Sequence, residues 1–255
     1  ETTLERLAEQ GVYLTSDEFK GKQEVVRGGQ SFRVSPADFQ RSGPVPGFMA
    51  QSSGTSNRPI RSMMPLDWQA VRAASLGAFF LAHDLFSRSH AVFDAILPGS
   101  AGIMHLLYHA RLGIVTERWF ARKIPSDNRL AAWYHYLTTY LIVLNGKLWG
   151  PGFPSPEFTA IGDISRIVRW IEEKNRLDRP SCITTAASNA VRIARLAWEQ
   201  GPSLHRTKFN VGGEPLTGSK RPVIERSGAS VTSRYNGGFS VDGGYGCADP
   251  LHDDE

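Results

Sequence analysis

Residues 208–217 read Lys-Phe-Asn-Val-Gly-Gly-Glu-Pro-Leu-Thr, and this stretch gives the clearest indication of the fold. A β-rich run breaks at two glycines, which allow positive φ angles and close approach of a ligand to the backbone. We predict a helix from about Thr217 to Ser227, because Gly228 is a typical residue after a helix end. The segment 229–235 is again β-rich. Strand, glycine-rich turn, helix and strand together indicate a βαβ unit.

The same alternation of helical and β-rich segments extends towards the N-terminus. Apolar residues recur at helical spacing in 2–10, 68–86, 101–110, 130–144, 163–171 and 189–199. Short β-rich runs lie at 48–51, 92–97 and 182–185. We therefore expect an α/β fold with helix-covered, mostly parallel sheets. Ligands of such sheets bind beyond the carboxyl ends of the strands, where we expect the small-residue loops after Gln51 and Val211.

Composition narrows the class of protein. The chain has 255 residues, a net charge of +4 with neutral histidines and two cysteines, which excludes a small disulfide-held scaffold. The basic residues are scattered, so no nucleic acid is expected as a partner. No apolar run approaches the ~20 residues of a membrane span. The sequence lacks an initiator Met and a signal peptide, and we expect a cytoplasmic fragment of a longer chain, with 1–47 as a leading segment.

The segment Ser52-Ser53-Gly54-Thr55-Ser56 is the first candidate for ligand binding. Small hydroxyl residues around a glycine leave backbone N–H groups free to approach a phosphate, and the hydroxyls add further donors. The segment lacks both the spacing and the lysine of a P-loop. A plain surface turn is therefore an open alternative.

Two further candidates lie near the C-terminus. The loop Gly212-Gly213-Glu214-Pro215 offers close backbone approach to a ligand, and the alternative is a structural turn with Thr217 as helix N-cap. Tyr235, which small residues follow, offers a flat face for a base, and the alternative is a core tyrosine before a loop.

Taken in this order and at these separations, the three motifs resemble those of adenylate-forming enzymes, within them the phenylacetate–CoA ligase-like branch. The family's phosphate loop matches residues 52–59, and its Gly-Gly-Glu-Pro loop matches 212–215. Its aromatic-initiated motif would begin at Tyr235. Segments 12–28 and 244–250 are also similar to this branch, so the resemblance extends over nearly the whole chain.

The resemblance implies the large N-terminal domain of such an enzyme, incomplete over residues 1–255 and without the C-terminal lid domain. In the family, a carboxylate attacks the α-phosphate of ATP, which gives an acyl-adenylate and pyrophosphate. A thiol, usually that of coenzyme A, then displaces AMP. The implied cofactors are ATP or AMP, Mg²⁺ and coenzyme A, and the implied substrate is a small carboxylic acid, with an aromatic acid as one option. A homodimer stays open.

The resemblance also assigns roles to residues. Those expected to bind ATP or AMP are Ser52, Ser53, Gly54, Thr55, Ser56, Gly213, Glu214, Pro215, Tyr235 and Asn236. The first five would hold the β- and γ-phosphates, and Tyr235 would stack on the adenine that the Gly-Gly-Glu-Pro loop borders. Phe239 stands where the family has a magnesium-binding Glu, and Asp242 would supply the carboxylate if the loop shifts register. The alternative is a non-catalytic nucleotide- or acyl-binding relative.

For several side chains that could act in catalysis or metal binding, we predict a structural role. Core packing is expected for the aromatic residues of the middle of the chain, Trp119, Phe120, Trp133, Tyr134, Tyr136 and Trp149, some of which would shape an acid pocket in the family. Cys182 is predicted to be a core residue rather than a nucleophile. His105 and His109 have the i, i+4 spacing of metal ligands, but we predict a packing or surface role.

Overall fold

A computed structural model of the protein describes residues 2–39, 43–51, 61–122, 129–159, 164–236 and 242–248. Its α-helices are α1 (Thr2–Glu9), α2 (Ser16–Phe19), α3 (Leu66–Ala82), α4 (Ala101–Arg111), α5 (Arg129–Trp149), α6 (Ser165–Arg176), α7 (Ala187–Gln200) and α8 (Arg221–Glu225). Its strands are β1 (Val25–Arg27), β2 (Gln30–Phe32), β3 (Gly47–Gln51), β4 (Arg61–Pro65), β5 (Ser89–Ala95), β6 (Thr116–Arg122), β7 (Pro156–Phe158), β8 (Ser181–Thr185), β9 (Thr207–Val211), β10 (Ser230–Asn236) and β11 (Asp242–Tyr245).

A seven-stranded sheet forms the centre of the fold, in the order β11-β10-β9-β8-β5-β6-β7. All neighbouring strands from β10 to β7 pair in parallel, and β11 pairs antiparallel to β10. Helices α3 and α4 pack on one face, and α6, α7 and α8 pack on the other. The expected class, a helix-covered and mostly parallel α/β fold, is confirmed.

The central strands are buried on both faces because helices cover the sheet on both sides. In β5, Val92 packs into the core beneath α3 and α4, whereas Ala91 and Phe93 pack into the core beneath α6 and α7. Side chains of a strand alternate between its two faces. A nearly continuous apolar run therefore marks β5 as a central strand.

Helix ends differ from the sequence prediction in two places. Helix α3 spans Leu66–Ala82 rather than 68–86, with Pro65 as its N-cap residue and Asp67 in its first turn. Helix α8 spans only five residues, Arg221–Glu225, rather than 217–227. The residues before α8 are held instead by the Lys220 ammonium, which donates a hydrogen bond to the Pro215 carbonyl at 3.0 Å. Thr217 is therefore not the N-cap.

A glycine marks the end of α7. Gly201 adopts φ 94° as the C-cap, and its N–H donates to the Ala197 carbonyl. This left-handed conformation strains residues with a Cβ atom, so glycine is the favoured residue there.

The aromatic residues of the middle of the chain divide into two groups. Trp119 and Phe120 of β6 are fully buried, as predicted. Trp133, Tyr134 and Trp149 of α5 are 65%, 61% and 78% exposed, so the prediction of core packing is wrong for them. Helix α5 buries the opposite side, which includes Thr139 and Val143. None of the helices in the described ranges has the length and apolar character needed to cross a membrane.

Candidate functional site

The Gly-Gly-Glu-Pro loop and Tyr235 lie at the carboxyl ends of two adjacent strands. Val211, the last residue of β9, is in register with Ser233 of β10, two residues before Tyr235. The Gly212 N–H donates to the Thr185 carbonyl at 3.1 Å, which connects the loop to the end of β8. Gly213 turns the chain with φ 78°, and open space surrounds the position of a Cβ atom. The loop after Val211 therefore lies at the carboxyl edge of the sheet, and Tyr235 lies beside it at the same edge.

Tyr235 is not a core residue. It is 69% exposed, although β10 is otherwise largely buried up to Arg234. The apolar ring gains nothing from packing in this position, and its surface is free to stack on a flat ligand. Exposure removes the alternative of a packed core tyrosine.

Glu214 holds the loop against the start of α7. One of its carboxylate oxygens accepts hydrogen bonds from the Ser188 N–H at 2.7 Å and from the Ser188 hydroxyl. The other accepts from the Lys220 ammonium at 3.2 Å. Burial alone would raise the pKa of Glu214, but the bonds from Ser188 and Lys220 keep it below its ordinary value. The carboxylate is therefore charged and engaged with protein groups, which fixes the shape of the loop.

The strands on either side of the serine-rich segment, β3 and β4, pair outside the central sheet. Strands β3 and β4 form their own two-stranded antiparallel sheet, so the expectation that the segment follows a strand of a parallel sheet is wrong. The connecting residues Ser52, Ser53, Gly54, Thr55 and Ser56 lie outside the described residues. The Gln51 N–H, directly before them, donates to the Pro98 carbonyl at 3.0 Å. Because Pro98 follows β5, the hairpin still reaches the carboxyl edge of the central sheet.

The segment after Tyr235 returns to the sheet as β11. Asn236 of β10 is in register with Asp242, and a register shift separates this pair from the pairing of Tyr235 with Gly244. The backbone of Asp242 therefore lies at the same edge, beside Asn236. Phe239 is outside the described residues.

A buried polar cluster, which the sequence did not predict, lies beneath this edge. The Arg234 guanidinium donates to the Asn210 amide oxygen at 3.0 Å and lies 3.4 Å from His105 Nδ1. Asp94 lies 3.8 Å from His105 Nε2 and 3.6 Å from Arg122. Asp94, Asn210 and Arg234 each occupy an inward position near the carboxyl end of a strand. Polar residues at equivalent ends of neighbouring strands were the signal available in the sequence.

Burial shifts the pKa values of the titratable groups in this cluster. It raises the pKa of Asp94, although the Ala95 N–H and Arg122 oppose the shift. Burial, together with Arg234, lowers the pKa of His105 well below its ordinary value. A neutral imidazole accepts a hydrogen bond on one nitrogen and donates on the other. We therefore regard His105 as a neutral partner that orients Arg234, directly before Tyr235.

The other titratable candidates have structural roles. His109 is buried and its Nδ1 pairs with the Thr116 hydroxyl at 2.7 Å, so the predicted packing role is confirmed. Cys182 is fully buried, and burial raises the pKa of its thiol to about 12, so the core interpretation is confirmed. Within the ranges that the structure describes, no group of three His, Cys, Asp or Glu residues could hold a metal ion.

Two cavities among the described residues lie away from the carboxyl edge that carries the two motifs. One, of about 480 Å³, is at the amino edge of the sheet and is lined by residues such as Ser87, Ser89 and Ile114. The other, of about 370 Å³, lies between α7 and α8 beside Trp198 and Arg226. We place the candidate site at the carboxyl edge because the Gly-Gly-Glu-Pro loop and Tyr235 meet there.

No protein-family model matches the chain, and no curated protein matches it. Among solved structures, an open 2-hydroxyisobutyryl-CoA ligase with 2-HIB-AMP and CoA is 16% identical at TM-score 0.46, over 73% of this chain and 35% of that one. The N-terminal subdomain of NpsA from Klebsiella oxytoca with 3-hydroxyanthranilyl-AMSN is 15% identical at TM-score 0.41, over 78% and 41%. A fatty acyl-adenylate ligase from L. pneumophila with acyl adenylate and pyrophosphate is 9% identical at TM-score 0.40, over 77% and 30%. The chain thus spans about a third of the length of the first of these ligases.

Proposed function

We propose that this chain is the nucleotide-binding part of an AMP-forming acid–thiol ligase of the phenylacetate–CoA ligase-like kind. The observation that carries the proposal is the exposed ring of Tyr235 beside the Gly-Gly-Glu-Pro loop, on adjacent strands of a parallel sheet. These are two of the three motifs on which the resemblance rests. The carboxyl edge is also where ligands of parallel sheets bind.

In this proposal Tyr235 stacks on the adenine, with Asn236 beside it, and the backbone of Gly213, Glu214 and Pro215 borders the base. Glu214 acts by shaping the loop, because Ser188 and Lys220 already occupy its carboxylate oxygens. Arg234 holds the end of β10 through Asn210 and His105. A rigid support of this kind favours stacking, because less conformational freedom is lost on binding.

The triphosphate would bind to Ser52, Ser53, Gly54, Thr55 and Ser56, whose N–H and hydroxyl groups are suited to phosphate oxygens. The hydrogen bond from Gln51 to Pro98 supports this role, because it brings the start of the segment to the edge that carries Tyr235. Donors that face the developing negative charge would favour attack of the acid carboxylate on the α-phosphate and departure of pyrophosphate.

The carboxylate proposed for Mg²⁺ is that of Asp242. Among the described carboxylates near this edge, Glu214 is engaged with Ser188 and Lys220, and Asp94 is buried beside Arg122. The pairing of Asp242 with Asn236 supports the assignment. Bound Mg²⁺ would neutralise charge on the phosphate oxygens. A small carboxylic acid, aromatic or aliphatic, and coenzyme A complete the proposed set of ligands, and the supply of ATP and coenzyme A suits a cytoplasmic enzyme.

The proposed domain organisation follows from the same resemblance. Residues 1–255 would form an incomplete N-terminal domain, with 1–47 as a leading segment, and a separate lid domain would complete the thioester-forming step. In enzymes with such lids, closure completes the catalytic arrangement.

Nucleotide binding is the direct test of the proposal. We expect Tyr235→Ala to weaken binding of AMP by about 1–3 kcal/mol, the energy of one base–aromatic stack. Isothermal titration calorimetry with AMP would measure the change. Tyr13→Ala is the matched control, since Tyr13 is half exposed and packs against Arg27, outside the central sheet. Equal affinity of Tyr235→Ala and the unchanged chain would contradict the proposed site.

A second experiment separates an active ligase from a non-catalytic relative. Phe239→Glu restores the carboxylate that the family has at this position, so we expect faster exchange of pyrophosphate into ATP with a panel of aryl and alkyl acids. Asp242→Asn should abolish exchange if Asp242 serves Mg²⁺. Both forms are measured in a protein extended to include the lid domain, and AMP binding without any exchange there, with the unchanged sequence and with Phe239→Glu, would favour the non-catalytic relative.

A further inference from the structure

Helix α5 has two faces of different character. Its inner face contacts the body of the protein through Thr139 and Val143, which are almost fully buried. The ring of Tyr136 lies edge-on to that of Phe158, with centroids 5.4 Å apart. Gly146 faces the ring of Phe153 so closely that a Cβ atom would clash with it. In the part of the chain that the structure describes, the inner face thus holds α5 against the sheet.

The outer face carries an exposed apolar row, which we call the α5 seam. Its members are between 42% and 81% exposed: Leu130, Tyr134, Leu137, Leu141, Leu144 and Leu148. They follow one another at alternating intervals of four and three residues. This is the a/d pattern of a coiled coil, which is narrower than the apolar stripe of a helix that packs on a globular core. The pattern points to a second helix as the partner.

We propose that the α5 seam pairs with the α5 seam of a second copy of this chain, antiparallel about a twofold axis. A twofold interface uses the same patch on both copies, so the patch must be complementary to itself. One antiparallel register pairs all six members of the seam. Leu137 faces Leu141 of the other copy, and Tyr134 faces its Leu144. Leu130 and Leu148 close the two ends of the row in the same way.

The exposed area agrees with a stable pair. The residues beside the seam add large exposed surfaces from Trp133, Tyr140 and Trp149. At roughly 150–250 Å² for an aromatic side chain and somewhat less for leucine, the exposed fractions amount to on the order of 1,000 Å² on one copy. A standard specific interface buries about 800 Å² on each partner.

The charge pattern favours a second copy over a lipid surface. Among the described side chains on the outer side of α5, Lys147 carries the charge, and the positions beside it are neutral, such as Thr138 and Asn145. Helices that lie on membranes usually combine an apolar face with several basic residues. In the antiparallel register the two Lys147 side chains lie at opposite ends, and each comes close to Trp133 of the other copy. Parallel pairing would bring these like charges to the same end.

Sedimentation equilibrium on the full chain tests the pairing. We expect a dimer, and we expect the double variant Leu137→Glu/Leu141→Glu to raise the dimer dissociation constant at least about a hundredfold, because both changes lie at the centre of the interface. Circular dichroism should stay unchanged, since the inner face keeps its contacts. Leu81→Glu on α3 is the control, because Leu81 is equally apolar and 75% exposed but outside the seam.

A monomeric unchanged chain would overturn the proposal, and so would a dimer that the double variant leaves intact. A monomer that floats with anionic phosphatidylserine vesicles would assign the seam to lipid and also overturn it. These outcomes do not depend on nucleotide binding, so they are independent of the proposed function.

Disulfide trapping tests the antiparallel orientation in a Cys247→Ser background, because Cys247 is the exposed cysteine of the described residues. Tyr140→Cys lies near the twofold axis and should form a crosslinked dimer. Trp149→Cys lies at the end of the helix, far from its counterpart, and should not. Crosslinking of Trp149→Cys but not of Tyr140→Cys would contradict the antiparallel register.

Discussion

The two faces of the seven-stranded sheet bury different chemistry. Beneath α3 and α4 the core contains titratable side chains, among them Asp94, His90 and His105. Beneath α6, α7 and α8 the core is mainly aliphatic, with residues such as Ile167 and Ile193. The aliphatic face derives its stability from close packing, which depends on volume. On the other face the free energy of unfolding also depends on pH, because buried titratable groups lose their hydration and are destabilised when charged.

The largest expected effect comes from a cavity in the aliphatic face. Phe209 is fully buried there, so Phe209→Ala should lower the free energy of unfolding by about 3–5 kcal/mol. Chemical denaturation at neutral pH would measure the change.

The neighbouring residue on the same strand is the control, because it points to the opposite face. The Lys208 ammonium donates to the His83 carbonyl at 2.9 Å, and Lys208→Ala should cost only about 1 kcal/mol, the value of one hydrogen bond. Similar losses in both variants would contradict the contrast between the two faces.

The second expected effect is a loss of stability in acid, which arises in the core beneath α3 and α4. Burial lowers the pKa of His90 to about 4, whereas an unfolded histidine titrates near 6.5. Because the folded pKa is the lower one, the unfolded state binds the proton more readily. The contribution of neutral His90 to the free energy of unfolding is therefore fully present above about pH 6.5. Roughly 3 kcal/mol of stability is lost as the pH falls to 4.

Denaturation curves between pH 4 and 7 would measure this slope. His90→Gln keeps a donor for the Leu85 carbonyl, which His90 contacts at 2.7 Å, and should remove part of the slope. The exposed His205→Gln is the control and should leave the slope unchanged. If His90→Gln has the same slope as the unchanged chain, His90 is not the group that couples stability to pH.

The smallest expected effect concerns Glu214, which holds the Gly-Gly-Glu-Pro loop against the start of α7. Glu214→Gln weakens the bonds to Ser188 and Lys220, and because its side chain is 30% exposed, the loss should be about 1 kcal/mol. The folded pKa of Glu214 is lowered, so this contribution is present above the unfolded pKa and disappears in acid.

Hydrogen exchange would locate the effect of Glu214→Gln, with faster exchange at Gly212 and little change in β5. Glu225→Gln removes a more exposed carboxylate that pairs with Arg221 within α8, and it should change stability by less than about 0.5 kcal/mol. Faster exchange throughout the sheet in Glu214→Gln would contradict a local anchoring role.

Local sequence signals predicted much of the fold because they depend on neighbouring residues. The two glycines after Val211 predicted the end of β9. The signals were weaker where a contact from elsewhere decided the structure. Helix α8 is shorter than predicted, and the residues before it are held by hydrogen bonds from Lys220 to Glu214 and Pro215. A pattern of apolar residues does not contain those contacts.

By itself, the sequence determined the fold class, the burial of Cys182 and the order of the motifs, because apolar periodicity and turn residues act over short distances. Only the tertiary structure decided which motif ends meet. Strand order brought the Gly-Gly-Glu-Pro loop beside Tyr235, the separate hairpin reached the same edge through Gln51, and the polar cluster around Arg234 assembled from four strands and a helix. It also decided which side of α5 is buried, because helical spacing is equally compatible with an inner face and with an exposed seam.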